Sequence, residues 1–396
     1  MLALALALRS KGHEPRLAGT PIFTSEAAEF GLPFTPVGMD VRRLLEENRQ
    51  LMSHRNPLTF VRLLNRVMLD ELRAQAEGLS ALASEVDLVV AGGATLAAKT
   101  MAEAAGVPYR YVAFTPQILP SAHHVPIMLP LTRAPRWVNR LSWMAFRAFY
   151  NGFSLASLNE MRRRVGLAPI SSFVDHLFSP TDSLLAADPE VTPLPPDLAV
   201  PQVGSFCLAD ERPLPPDVER FLAAGEPPVY LGFGSMPDAH PEWTTRLIAE
   251  AVRRSGVRAL LSSGWAGLGA EDLGPEILVV GPLSHWRLFP RLRGVVHHGG
   301  AGTTAATARA GVPQVVVPHA FDQFLMAHHI QRAGLGTSFP RNRLSVDRLA
   351  RALVRLDQDT EMRANAAKVG ERIRARDALD ATATLLAQAA RPQHRS

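Results

Sequence analysis

Cysteine is almost absent from this sequence: Cys207 is the only one in 396 residues. A lone thiol closes no intrachain disulfide and builds no cysteine-based zinc site, so a reducing cytoplasm is the expected compartment. Lysine is nearly missing too. Lys11, Lys99 and Lys368 are the only lysines among 42 basic residues, and the net charge is +5. With no run of consecutive basic residues longer than the three of Arg162 to Arg164, nucleic acid is not an expected partner, whereas small anionic ligands are. No apolar run reaches the roughly 18 residues of a membrane span. The opening MLALALALRSKGHE lacks the charged front and small-residue cleavage site of a signal peptide, so neither export nor stable membrane insertion is expected. A P-loop G-x-x-x-x-G-K-[ST], a well-placed G-x-G-x-x-G and an H-E-x-x-H are also missing, which sets aside P-loop NTPases, kinases and zincins.

Apolar side chains are plentiful. They make up 47% of the chain against 20% charged, which excludes a disordered or coiled-coil protein. The length exceeds one ordinary core and predicts two domains with a cleft between them. Leu2 to Leu8 alternates Leu with Ala but contains no β-branched or aromatic residue, and reads as a helix with no capping residue at its start. An extended RLAGT, a helix near Glu26 to Phe30, a short FTPVG strand and a long helix from Thr59 to Ser84 follow. DLVVAGG (87 to 93) and YRYVAF (109 to 114) then flank a helical TLAAKTMAEAAG, the strand, helix, strand alternation of a parallel sheet covered on both faces. A helix-rich stretch from Pro135 to Leu167 carries Trp137, Trp143, Phe146, Phe149 and Tyr150, which serve either packing or an acceptor-binding wall. Pro and charge density mark 206–228 as a linker. Beyond it, VYLGFGS, VRALLSS, EILVVGP, GVVHHGG and QVVVPHA are predicted strands of a second doubly wound half, closed by long Ala/Arg/Leu helices.

The segment with the most chemistry is GVVHHGGAGTTAATARAG, residues 294 to 311. A strand delivers His297 and His298, a turn of small residues including Gly300 and Gly302 follows, and Thr303 to Arg309 begin a helix. Glycines let backbone N–H groups approach a ligand, and a helix N-terminus carries about half a positive charge, so this turn suits a phosphate or diphosphate. Gly232-Phe233-Gly234-Ser235 closes a neighbouring strand, which brings Ser235 to the same crevice. Asp322 and Gln323, just past a strand end, are placed either to cap a helix or to grip the vicinal hydroxyls of a sugar. His328 and His329 are read as surface or packing residues. No metal site is expected, because no single element offers histidines at the i, i+4 spacing that ligands need.

HHGGAGTT, AGVPQVVVPHAFDQ, SSGWAGL and GPLSHWRLFPRL together resemble the family 1 glycosyltransferases, specifically the bacterial natural-product enzymes such as glycopeptide-antibiotic glycosyltransferases, with sterol glucosyltransferases as near relatives. The resemblance is strongest from Val229 to Ser338 and extends more weakly through GGATLAAKTMAEAAGVPY. It implies the GT-B fold: an N-terminal acceptor domain (1–205), the linker (206–228), a C-terminal donor domain (229–377) and a final helix and tail (378–396) that crosses back to the first domain. Position by position it implies Ser235, His298, Gly300, Gly302 and Thr303 at the donor diphosphate, Leu283 at the base, and Asp322 and Gln323 on the sugar. The implied reaction is inverting and metal-free, from a UDP- or dTDP-sugar to a hydroxyl of an apolar natural product, with no further cofactor.

Departures from the family pattern carry information. Val280 stands where plant relatives stack a tryptophan on uracil, leaving Trp265 as the candidate stacking residue. Ala306 stands where they carry a ribose-binding glutamate, which suits a deoxyribose donor and keeps dTDP level with UDP. Phe321 and Phe324 flank the Asp-Gln pair. Family members begin with a strand and a glycine-rich loop holding the catalytic base, whereas this sequence opens inside the following helix. The expectation is a first strand and loop of about fifteen to twenty residues not present here, with poor nucleotide binding and negligible turnover as a consequence. His123 and His124, after the YVAFTP strand, are the remaining candidate bases. Two alternatives stay open: a non-catalytic glycosyltransferase-like helper, and a GT-B nucleotide-sugar epimerase.

Overall fold

The alternation of apolar runs with helix formers resolves into two α/β halves in a computed structural model that describes residues 1–40, 57–234, 236, 238, 240–264 and 273–390. The first half contains α1 (Leu2–Ser10), β1 (Leu17–Gly19), α2 (Thr24–Glu29), β2 (Phe34–Pro36), α3 (Pro57–Ser84), β3 (Val89–Gly92), α4 (Ala98–Ala104), β4 (Tyr109–Ala113), α5 (Arg136–Tyr150), α6 (Ala156–Arg164), α7 (Phe173–Leu177) and β5 (Ser183–Leu185). The second contains α8 (Pro216–Ala223), β6 (Val229–Gly232), α9 (Pro241–Ser255), β7 (Ala259–Ser262), β8 (Ile277–Val280), α10 (His285–Leu288), β9 (Gly294–His297), α11 (Ala301–Ala310), β10 (Gln314–Val316), α12 (Gln323–Arg332) and β11 (Gly336–Ser338). It ends in α13 (Val346–Gln358), α14 (Thr360–Arg374) and α15 (Ala378–Ala389).

The second sheet is wholly parallel, in the order β11-β10-β9-β6-β7-β8. Its strands read as unbroken apolar runs because both faces are covered. Val229, Leu231, Leu261 and Val296 pack beneath α9 and α13 against Ile248, Val252, Leu353 and Leu356. Tyr230, Leu260 and Val295 point the other way, onto Val218, Leu288 and Phe289. From β6 the chain winds outward through β7 and β8, then returns to lay β9 on the other side of β6. This reversal opens a crevice at the carboxyl ends of β6 and β9.

In the first half the parallel strands form two sheets, β1-β2 and β3-β4-β5. Between them lies a cavity of about 530 Å³, lined by residues that include Leu17, Gly19, Phe34, Val37, Leu79 and Gly92. The opening helix forms as its composition dictates, and its N-cap residue Met1 makes no side-chain cap. Leu4 of α1 packs with Val112, Leu184 and Leu386, the last from α15, so the final helix lies on the first domain's sheet. The stretch expected as linker, 206–228, differs in its second part. Pro216–Ala223 is helical, and Val218 and Leu222 enter the second domain's core beside Tyr230 and Val280. The prolines at 215 and 216 start this helix rather than prevent it, since proline suits a first turn.

A salt bridge reinforces the crossing. Arg376, between α14 and α15, donates to Glu190 Oε1 at 2.7 Å and Oε2 at 3.2 Å, and lies 3.4 Å from Asp188 Oδ1. Asp188 is 3% exposed; burial pushes its carboxyl up, and Arg376 pulls against that shift. Removing the cation strands a buried carboxyl. Arg376→Ala is therefore expected to lower the unfolding free energy at neutral pH by about 2–3 kcal/mol, read as a shift of the urea midpoint, with Arg376→Lys losing less.

Candidate active site

At the crevice, the strand ends of β6 and β9 meet through one imidazole. Gly234, in the left-handed region at φ 61°, and Gly300 hold the His298 ring between them: a Cβ on Gly234 would stand 2.8 Å from His298 Cε1, and one on Gly300 2.5 Å from Nε2. Only glycine fits either position. The adjacent histidine does other work. His297 is fully buried; its Nδ1 accepts from Gly299 N at 3.0 Å, so the ring proton sits on Nε2, which donates to Gln314 Oε1 at 2.8 Å. His297 braces the turn, and burial holds its pKa down at about 3.

His298 presents a different picture. Its Nδ1 is buried without a hydrogen-bond partner, and burial, helped by the neighbouring His319, lowers its pKa to about 4. It is a neutral imidazole with an unused polar atom. Thr304 Oγ1, on a residue 1% exposed, is likewise buried and unpartnered. Both lie at the start of α11, whose N-cap Gly300 offers no side chain, so the first backbone N–H groups of that helix go uncapped. Unsatisfied donors, a helix dipole and two orphaned polar side chains form a seat for an anion. Thr304 is the residue that sequence reasoning missed; the second threonine of the TT pair was the available signal.

Gly302 is exposed, and a Cβ there would meet nothing within 4 Å. It lines a cleft of about 1150 Å³ together with Leu283, Ala306, Arg309 and Trp286 of the second domain and Glu26 and Glu29 of the first. A second cavity of about 440 Å³ joins Gly302 and Thr304 to Phe114, Ala187 and Thr192. The structure thus brings Leu283, Gly302 and Ala306 to one space, with half-exposed Thr303 on the same first turn. Ser235 and Trp265 lie outside the described residues. His123 and His124 line none of these cavities. His123 is exposed, and His124 is buried against the Trp143 ring, its Nδ1 3.2 Å from Val125 O.

The Asp-Gln pair abuts the same turn, since a Cβ on Gly299 would touch Gln323. Gln323 is 4% exposed, and its Oε1 accepts from His319 N and Ala320 N at 2.8 and 3.1 Å, while Nε2 faces Met236 Sδ. In this state Gln323 shapes the loop. Asp322 occupies the N-cap position of α12 without capping it, and burial raises its pKa to about 6 with no cation facing it among the described residues. Phe321, at φ 56°, is the one non-glycine residue in the left-handed region among those described, and it is exposed beside Asp322. A bulky side chain held there stores strain, as loops at functional sites often do.

Comparison with known proteins accounts for this geometry. Residues 266–384 match the family model of the erythromycin biosynthesis protein CIII-like C-terminal domain. The chain is 35% identical to glycosyltransferase GtfC of Amycolatopsis orientalis over 98% of its own length and 93% of that protein. It is 36% identical to vancomycin aglycone glucosyltransferase of the same organism, covering 92% and 89%. The chain belongs to the GT-B glycosyltransferases. The fold of this glycosyltransferase matches that of VinC, solved in complex with dTDP, with a TM-score of 0.69 at 21% identity over 98% of this chain and 95% of that one. No helix among its described residues is long and apolar enough to cross a membrane.

A raised carboxyl pKa fixes the sign of a stability effect. Asp322 holds its proton longer folded than unfolded, so its contribution is fully present below the ordinary aspartate pKa and is lost as pH rises through about 6. Asp322→Asn removes that loss. Without ligand, its melting-temperature advantage over the native chain should be small at about pH 3.5, grow through about pH 4 to 6 and reach a plateau above about pH 7. A constant difference across that range would contradict the assignment.

Proposed function

We propose that this glycosyltransferase transfers a sugar, with inversion, from a dTDP- or UDP-sugar to a hydroxyl of an apolar small molecule, and that the donor diphosphate sits on the first turn of α11. The observation that carries this reading is the pair of buried, unpartnered atoms, His298 Nδ1 and Thr304 Oγ1, at an uncapped helix start facing a cleft. Leu283 and Ala306 line that cleft; in this reading Leu283 faces the base and Ala306 the ribose, where a small apolar side chain suits a deoxyribose. VinC, a structural neighbour, binds dTDP.

The chemistry follows from where charge develops. The acceptor oxygen attacks the anomeric carbon as the bond to the phosphate oxygen breaks, and the departing electron pair becomes charge on the diphosphate. Backbone N–H groups of Ala301 to Thr303, the Thr303 hydroxyl and the His298 imidazole meet that charge with dipoles already oriented. The acceptor proton passes to a base on the first-domain side. No step calls for a metal ion. Asp322, next to the diphosphate turn, accepts from sugar hydroxyls, while Gln323 holds its loop.

Isothermal titration with dTDP and with UDP tests the site. His298→Ala and Thr303→Ala should each weaken binding by about tenfold or more. Gly302→Ala is the sharper variant: the free protein has room for the methyl, so its melting temperature should not fall, yet the methyl occupies the ligand's space and affinity should drop. Unchanged affinity in all three would remove the reading. Incubation with the donor alone, followed by product analysis, separates transfer from epimerisation.

A further inference from the structure

The largest unexplained feature of the surface is α5. Of the thirteen large apolar side chains exposed among the described residues, eight fall between residues 128 and 153. Trp137, Leu141 and Met144 are 68%, 56% and 63% exposed. Their i, i+4, i+7 spacing lines them along one face of the helix, and that face points to solvent. The usual arrangement is inverted here, because the opposite face is fixed inward. Trp143 Nε1 donates to His124 O at 3.0 Å and Asn139 Nδ2 to Ala122 O at 2.9 Å, and both side chains are buried. The helix cannot roll its apolar stripe under cover. Met128, Leu129 and Leu131 add exposed apolar surface before the helix, and Phe149 in its last turn and Phe153 beyond it, with ring centroids 4.9 Å apart, add more beside the stripe. The aromatic set expected to act together is therefore divided: Trp143, Phe146 and Tyr150 pack in an inward chain, while Trp137 and Phe149 face out.

Charge around the stripe has one sign. No Asp or Glu occurs from residue 104 to residue 159, and Arg133, Arg136 and Arg140 are exposed beside the apolar side chains. Arg133 is close enough to depress His328 on α12, so this surface borders the second domain. A tryptophan, long aliphatic side chains and arginines whose stems can lie flat with their guanidiniums at the headgroups are the chemistry of a helix resting in a lipid–water interface. Neither an apolar stripe nor a few arginines alone holds a protein there; together they provide the two signals such binding needs.

We propose that α5 and the loop 128–133 form a docking face for an anionic lipid bilayer. This surface is independent of the nucleotide seat, so each can fail without the other. Co-sedimentation with phosphatidylcholine vesicles containing about 30% phosphatidylglycerol, and with phosphatidylcholine alone, provides the test. Binding to the anionic vesicles is expected to be about tenfold tighter and to weaken with added salt. Trp137→Glu with Leu141→Glu should abolish it, and Arg136→Glu with Arg140→Glu should remove the preference for the anionic lipid. Titration with dTDP or UDP should be unchanged in both variants, which shows that they fold. No sedimentation of the native chain, or equal sedimentation of Trp137→Glu/Leu141→Glu, would overturn the proposal. So would a dimer, seen by light scattering, that dissolves with the same substitutions, because the stripe would then cover a second copy of the chain.

Discussion

One ring in one slot organises the second domain of this molecule. His298 is clamped between Gly234 at the end of β6 and Gly300 at the end of β9, and those strands are neighbours only because the chain reverses its winding between them. The reversal makes the crevice, the glycines make the slot, and the slot aims an imidazole at the uncapped start of α11. Every other element of the second domain serves to hold that crossing still. α9 and α13 cover one face of the sheet, and α8, α10 and the turn after it cover the other.

The two domains are joined by more than the connecting chain. α15 returns to the first sheet through Leu386, Arg376 grips Glu190 and Asp188, and Thr192 reaches Met326 of α12. These contacts flank the cavities shared by the two halves. The two halves are thus held partly by a charged contact and partly by an apolar one. The first domain is built with less insistence. Its parallel strands stand in two sheets beside an open cavity, whereas the donor sheet is unbroken across six strands. The cavity of the first half therefore lies between separate sheets, whereas the crevice of the second lies at the end of a continuous one.

Much of this was legible from residue order. Apolar runs ending in small residues gave the strands of the second sheet, and HHGGAGTT marked the turn from β9 into α11 because few other combinations deliver a strand, a close backbone approach and a helix start in eight residues. What could not be read was the division of labour within the motif. His297 and His298 are adjacent and chemically identical, and only strand register turns the first into the core against Gln314 and the second into the crevice. Gln323 was legible as a polar residue at a helix start, but its duty to His319 and Ala320 depends on a loop conformation that local sequence does not encode. The helix Pro216–Ala223 was obscured by proline density, although Val218, Phe221 and Leu222 already carried helical spacing. The exposed aromatic stripe of α5 was misleading in the opposite sense. Periodicity showed an apolar face, and periodicity alone cannot say which way that face points.

With the donor diphosphate at the start of α11, as proposed, the groups that meet it are dipoles, and the arginine of that helix, Arg309, lines the wider cleft. Cationic side chains at a buried diphosphate would bind the product as strongly as the transition state and would carry a desolvation cost in the empty site. His298, with its pKa near 4, is neutral at physiological pH, and the α11 N-terminus contributes dipoles rather than charge. Neutral donors fixed in place respond most to the extra negative charge that accumulates as the glycosidic bond breaks. They also hold the departing nucleotide loosely enough for it to leave. Arginines stand further out, with Arg212, Arg309 and Arg374 lining the wider cleft and Arg376 tying the two halves together.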